Sequence, residues 1–95
     1  MTTYSVSIYL CYNHAMPTVL QDGPYFFVFF SSDQGEPPHI HVKRDRLIAK
    51  FWLSPVFLAK NRGFKEHELS DIARLVIKHE ARLLEAWYEY FSSGN

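Results

Sequence analysis

His39 and His41 are the residues of this chain best placed to do chemistry. They lie in Glu36-Pro37-Pro38-His39-Ile40-His41-Val42, where a Pro-Pro pair interrupts regular structure and two imidazoles then alternate with β-branched apolar residues. Positions i and i+2 of a strand project to the same side. The spacing therefore predicts both rings on one face, with Ile40 and Val42 buried on the other. Imidazole titrates near neutral pH, so the pair has the chemistry of a general acid and base. A His-x-His pair can also hold one metal ion, but a catalytic zinc site needs a third protein ligand. Glu36, Asp33 and His67 are available for that role, and no spacing singles one out, so no metal-ligating set is assigned. The plain alternative is structural, with both rings hydrogen-bonded to loops and shaping the strand edge. No Ser or Cys nucleophile in a recognisable motif accompanies the pair, and no Gly-rich phosphate loop is present.

The elements that must position these rings follow from pattern. Residues 18–20 read as a short strand closed by the Asp22-Gly23-Pro24 turn. Tyr25-Phe26-Phe27-Val28-Phe29-Phe30 is continuously apolar and suits a strand buried on both faces. Residues 31–38 are polar and rich in Gly and Pro, hence a loop. Residues 39–43 and 47–52 form a hairpin about Arg44-Asp45. With Val42 opposite Leu47, one face collects Ile40, Val42, Leu47, Ala49 and Phe51, and the other His39, His41, Lys43, Ile48, Lys50 and Trp52. A slip by one residue would bury Lys50 beside Ile40 as an unpaired charge. Ser54-Pro55-Val56-Phe57-Leu58 reads as a short strand after a kink. Asn61-Arg62-Gly63 reads as a turn in which Gly63 can take a positive φ. From Glu66 to Phe91, apolar residues Leu69, Ile72, Val76, Leu83, Trp87 and Phe91 recur at steps of three, four or seven. That spacing predicts one long amphipathic helix, with a bend near His79. Glu66 and Glu68 suit its positive N-terminal end.

The expected fold class is α+β: a small antiparallel sheet of three to five strands, followed by a long C-terminal helix packed on one face. Residues 16–91 read as a single domain and residues 92–95 as a disordered tail. Residues 1–15 are either an N-terminal extension or an extra edge strand, since Tyr4, Val6, Ile8 and Leu10 alternate with Ser5, Ser7, Tyr9 and Cys11. One helix covers one side of the Phe-rich strand. Either Tyr25, Phe27 and Phe29 or Phe26, Val28 and Phe30 then needs a second cover, from a loop, a second copy in a homodimer, or another protein chain.

Composition removes several function classes. The 95 residues carry a formal net charge of zero, so nucleic-acid binding by bulk charge is excluded and only a local patch would serve. Cys11 is the single cysteine, which rules out an intrachain disulfide and a Cys-based zinc site and fits a reducing cytoplasm. No apolar run approaches the ~18–20 residues of a membrane span. No Lys or Arg precedes the apolar part of the N-terminus, unlike a secretory signal. The expected localisation is cytoplasmic, with no membrane partner and no cofactor.

Three further groups have a functional reading beside a plain one. The face bearing His39, His41, Lys43, Lys50 and Trp52, with Arg44 and Arg46 at the hairpin tip, suits RNA: cations hold phosphates, an indole stacks on a base, and an imidazole assists 2′-OH attack. The plain reading is a solvated face with Trp52 tucked under a loop. Arg62 could anchor an anion beside the helix N-terminus, or its loop exists because Gly63 turns and Phe64 plugs the core. At the helix end, Trp87 and Phe91 suit the core, while Tyr88 and Tyr90 are expected to be exposed as a partner surface.

Met16-Pro17-Thr18-Val19-Leu20, the Pro-Pro-His-Ile-His-Val run, Ala49-Lys50-Phe51-Trp52-Leu53, Pro55-Val56, Asn61-Arg62-Gly63-Phe64 and Glu85-Ala86-Trp87 together resemble a family of small prokaryotic domains of unknown function, numbered four-one-six-zero. The resemblance covers residues 16 to about 91 and favours reading residues 1–15 as an extension. Members of that family are often encoded beside a second small protein of unknown function, in compact pairs that look like toxin–antitoxin modules. The resemblance thus implies a cytoplasmic protein-interaction module, one component of such a pair, whose partner is the small protein encoded by the adjacent gene. At the level of element order the chain is also similar to the double-stranded-RNA-binding-like fold of the HicA mRNA interferases. One alternative is therefore a small ribonuclease or RNA-binding protein, with His39 and His41 as acid and base and Lys43, Lys50 and Arg62 on phosphates. A metal-binding protein using His39 and His41 is another. The chain departs from the family at Lys65, where Ser or Thr often stands three residues before Glu68; the weaker capping box leaves the helix start open.

Overall fold

The apolar alternation around Val42 becomes the middle strand of a five-stranded antiparallel sheet. The structure is a computed structural model and describes residues 18–92. The expectations for residues 1–15, and for all of the tail beyond Ser92, lie outside the described residues. Strands β1 (Thr18–Asp22), β2 (Tyr25–Val28), β3 (His39–Arg44), β4 (Leu47–Leu53) and β5 (Val56–Arg62) lie side by side in chain order, each antiparallel to the next. Two helices follow, α1 (Glu66–Lys78) and α2 (Glu80–Ser92). The α+β architecture read from the sequence is the one observed. No helix among the described residues is long and apolar enough to cross a membrane.

The β3–β4 hairpin keeps its expected faces but not its expected register. Arg44 pairs with Leu47, Val42 with Ala49 and Ile40 with Phe51, two residues away from the alignment of Val42 with Leu47. Asp45 adopts a left-handed φ of 57°, so Asp45-Arg46 closes the hairpin in two residues and Arg44 remains in the strand. A shift of two leaves every side chain on its own face. Ile40, Val42, Ala49 and Phe51 are accordingly buried together.

They form the sheet side of the core with Val19, Phe27, Phe29 and Leu53, against Ile72, Val76, Leu83, Ala86 and Trp87 of the helices. Each fully buried Phe, Leu or Ile there contributes roughly 1.5–3 kcal/mol of transfer free energy. Phe64 closes the core at the β5–α1 junction, where its N–H donates to Asn61 Oδ1 (3.1 Å) and its carbonyl accepts from Asn61 Nδ2 (3.0 Å).

Two strands differ in length from expectation. β2 stops at Val28 instead of running to Phe30, because the Phe30 N–H turns to the Asp33 carboxylate (2.8 Å) in a single 3₁₀ turn over Ser31–Asp33. β5 runs through Arg62 instead of ending early, because the Ser54-Pro55 connection pairs Leu53 directly with Val56 and the ladder then continues to Ile48 and Arg62. The helical stretch divides at His79, which leaves helical geometry (φ −103°, ψ 12°) while its N–H still bonds Leu75 O at 3.0 Å. His79 Nε2 lies 2.8 Å from Asp22 Oδ2, and its ring meets the edge of Phe27 at 5.8 Å. That anchorage to β1 holds the bend, so the expected single rod is two helices.

Candidate functional site

β3 carries His39 and His41 on the same side of the sheet, their ring centroids 5.1 Å apart. They are not equally accessible. His39 is completely buried, whereas the His41 side chain keeps 12 % of its surface exposed. β2 ends opposite His41, so no β2 residue stands beside His39. Trp87 of α2 packs there instead, 5.0 Å from the His39 ring, and Trp52 closes another side at 5.6 Å. Phe30 covers His41 at 4.2 Å.

Asp33 joins the two rings. Its Oδ1 lies 3.0 Å from His39 Nε2 and 3.3 Å from His41 Nε2. The 3₁₀ turn brings it there, since the same turn bonds its Oδ2 to the Phe30 N–H. His39 Nδ1 lies 3.0 Å from Pro37 O. A carbonyl only accepts, so Nδ1 carries the proton in that bond. Nε2 of His39 then faces Asp33 without a hydrogen-bond partner.

The cations named from the sequence divide between two places. Lys43 and Lys50 share the His41 face, as expected. Lys50 is engaged: it donates to Glu36 Oε1 at 2.8 Å and lies 4.8 Å above the Trp52 ring. The Lys50 ammonium holds the Glu36 carboxyl below its ordinary range. Arg62 closes β5, four residues before the helix begins at Glu66. In β5 it pairs with Ile48, and Lys60 pairs with Lys50, so both join the His41 face. Sequence reasoning passed over Lys60; its spacing of two from Arg62 would have marked it once residues 56–62 were read as one strand. A shallow cavity of about 300 Å³ opens on this face, lined by Phe30, His41, Ile48, Lys50, Lys60 and Arg62. Among the described residues, Lys43, Lys60 and Arg62 form no ion pair.

Arg44 leaves the basic face because even-numbered β3 residues point to the helices. It binds Glu68 instead. Arg46 is exposed at the tip. Trp52 is half-buried over His39. The helix-end aromatics also part: Trp87 is buried, Tyr88 is 57 % exposed, and Tyr90 is half-buried against Phe29 (5.7 Å) and Phe91 (4.7 Å).

No curated protein and no solved structure matches the chain. A family model does, over residues 24–88, a span that holds β2 to β5, all of α1, the Asp33–His39–His41 cluster, and Lys43, Lys60 and Arg62. The chain belongs to the family described as Domain of unknown function (DUF4160).

Proposed function

We propose that the His41 face of the sheet is an RNA-binding surface, and that the protein acts as the RNA-engaging component of a toxin–antitoxin-like pair. The observation that carries this reading is the segregation of charge. In a chain of zero net charge, Lys60 and Arg62 line one cavity and Lys43 stands on the same face opposite Ile48, all three without acidic partners among the described residues. Cations that have no carboxylate to bind are suited to phosphate. Aromatic side chains frame them. Phe26, 42 % exposed, stands opposite Lys43, and Phe57, 54 % exposed, stands opposite Trp52. A basic groove flanked by aromatic rings suits single strands, because every base presents a π-face for stacking.

Binding is favoured over cleavage. Acid–base cleavage needs two groups that reach the substrate, and His39 is sealed behind Trp52 and Trp87. His41 is the imidazole that lines the cavity, with Asp33 behind it. The protein-partner reading keeps one specific support, the exposed ring of Tyr88 on α2. Tyr90 packs inward and no longer widens that surface.

The test is binding of a fluorescently labelled single-stranded RNA to the untagged protein by anisotropy, alongside co-expression with the neighbouring gene. Saturable binding that a Lys60→Ala, Arg62→Ala double variant loses supports the RNA reading. Intact protein that binds no RNA, yet co-purifies with the neighbouring small protein through Tyr88, replaces it with the partner module.

A further inference from the structure

We propose that Asp33, His39 and His41 bind a divalent transition-metal ion, with Zn²⁺ the best match to the donor set. One ligand atom from each residue lies within 4.8 Å of the other two. The Oδ1–Nε2 separations are 3.0 and 3.3 Å. A tetrahedral ion with bonds of about 2.0–2.1 Å has ligand–ligand edges of roughly 3.3 Å. Two edges of such a tetrahedron are therefore already formed.

The independent pointer is Nε2 of His39. It is fully buried, has no hydrogen-bond partner, and is aimed at a carboxylate oxygen. With the ring proton on Nδ1, Nε2 presents a lone pair to Oδ1. Two lone pairs at 3.0 Å repel each other, and a buried acceptor without a donor is costly. A cation between them removes the conflict. A proton would serve the His39–Asp33 contact alone, whereas a metal ion engages His39, His41 and Asp33 together.

The surroundings are those of a ligand set held in place. The bond from His39 Nδ1–H to Pro37 O fixes the ring so that Nε2 faces inward, a common arrangement for a metal-ligating histidine. The Phe30 N–H holds the second Asp33 oxygen. Phe30, Trp52 and Trp87 supply an apolar shell around the two rings. Two imidazoles and one carboxylate favour zinc over magnesium or calcium, which prefer all-oxygen sites. Three protein ligands would leave a fourth position for water or a substrate, and His41 also lines the cavity that holds Lys60 and Arg62. The inference shares His41 with the proposed RNA face but does not depend on RNA binding, since neither Lys43, Lys60 nor Arg62 takes part.

The experiment uses untagged, chelator-stripped protein titrated with Zn²⁺ by calorimetry and with Co²⁺ by visible absorbance. One ion per chain and the intense ligand-field bands of tetrahedral Co²⁺ are expected. Asp33→Asn and His41→Gln should each weaken Zn²⁺ affinity at least ~10-fold. Asp33→Asn is expected to remain folded by circular dichroism, because an amide keeps an acceptor for the Phe30 N–H and offers a donor to His39 Nε2. His41→Gln alters a partly exposed side chain and gives a second reading should the first variant unfold. Wild-type protein that takes up no ion, or takes it up equally in folded variants, overturns the proposal. His67 and His79 would then account for any residual uptake.

Discussion

Arg44 grips Glu68 with two hydrogen bonds, Nε to Oε2 at 2.6 Å and a terminal nitrogen to Oε1 at 2.8 Å, and so ties the tip of the β3–β4 hairpin to the first turn of α1. Tyr25 joins them from β2, its hydroxyl donating to Glu68 Oε2 at 2.7 Å. The Arg44 guanidinium and the Tyr25 hydroxyl hold Glu68 down at about 2, below its ordinary 4.5, and Glu68 in turn raises Arg44. The Arg44 guanidinium also lies 5.8 Å from the Phe64 ring. One exposed-looking arginine thus helps cover the β5–α1 junction rather than the basic face.

The sign of the acid dependence follows. A carboxylate whose folded pKa is depressed contributes stability in full above its unfolded pKa, and loses it as pH falls through the folded value. Glu68 should therefore stabilise the protein fully at neutral pH and progressively less from about pH 4.5 towards pH 2. Glu68→Gln should melt below wild type at pH 7, and the gap in Tm should narrow at pH 2–3. Thermal melts across that range check this. A gap that is constant with pH would show that the ion pair is not the source.

Gly63 gives a second stability prediction. Its φ is +104°, and a Cβ there would collide with the Leu47 side chain. Gly63→Ala combines left-handed backbone strain with that collision, at a cost of about 1–3 kcal/mol. Urea denaturation should show a lower midpoint at an unchanged slope. An unaffected midpoint would mean the β5–α1 turn relaxes to another conformation.

Asp22 and His79 give a third. The His79 bond, acting with Lys78 against a smaller burial penalty, lowers the Asp22 carboxyl. This contact joins β1 to the bend between α1 and α2. Asp22→Asn should leave the sheet folded but weaken the protein by about 1 kcal/mol or less, as partly exposed pairs do. Hydrogen exchange should localise the loosening to amides near His79. Uniform loosening would argue against a local clamp.

The sequence revealed faces better than registers or neighbours. Ile40, Val42, Ala49 and Phe51 were assignable to the core because a period of two survives a register shift of two. The register itself depended on Asp45 accepting a left-handed φ, which its residue type permits but does not require. Asn61-Arg62-Gly63 resembles a turn, which hides the length of β5 and with it the place of Lys60. The shared side of His39 and His41 was readable from i and i+2. The burial of His39 was not, because it comes from Trp87, distant in sequence. Sequence alone does not separate Asp33 from Glu36 and His67 as a partner of the two rings; the 3₁₀ turn that folds it back does.

The RNA reading makes a quantitative prediction about salt. Each single-strand phosphate neutralised lowers the slope of log K against log salt by about 0.7. Lys60 and Arg62, on the cavity wall and free of ion pairs among the described residues, should each account for about one such contact. Single Lys60→Ala and Arg62→Ala variants should then bind weakly at low salt and show a slope shallower by about 0.7 each. Lys50→Ala is the informative contrast. Its ammonium already holds Glu36 and lies over Trp52, so its removal frees a carboxylate beside the cavity. Binding should weaken through Glu36 repulsion, and the Lys50→Ala, Glu36→Gln double variant should regain part of the loss. Anisotropy titrations at three salt concentrations measure both effects. Equal slopes in wild type and the two single variants would remove Lys60 and Arg62 from the phosphate contacts, and the proposed surface with them.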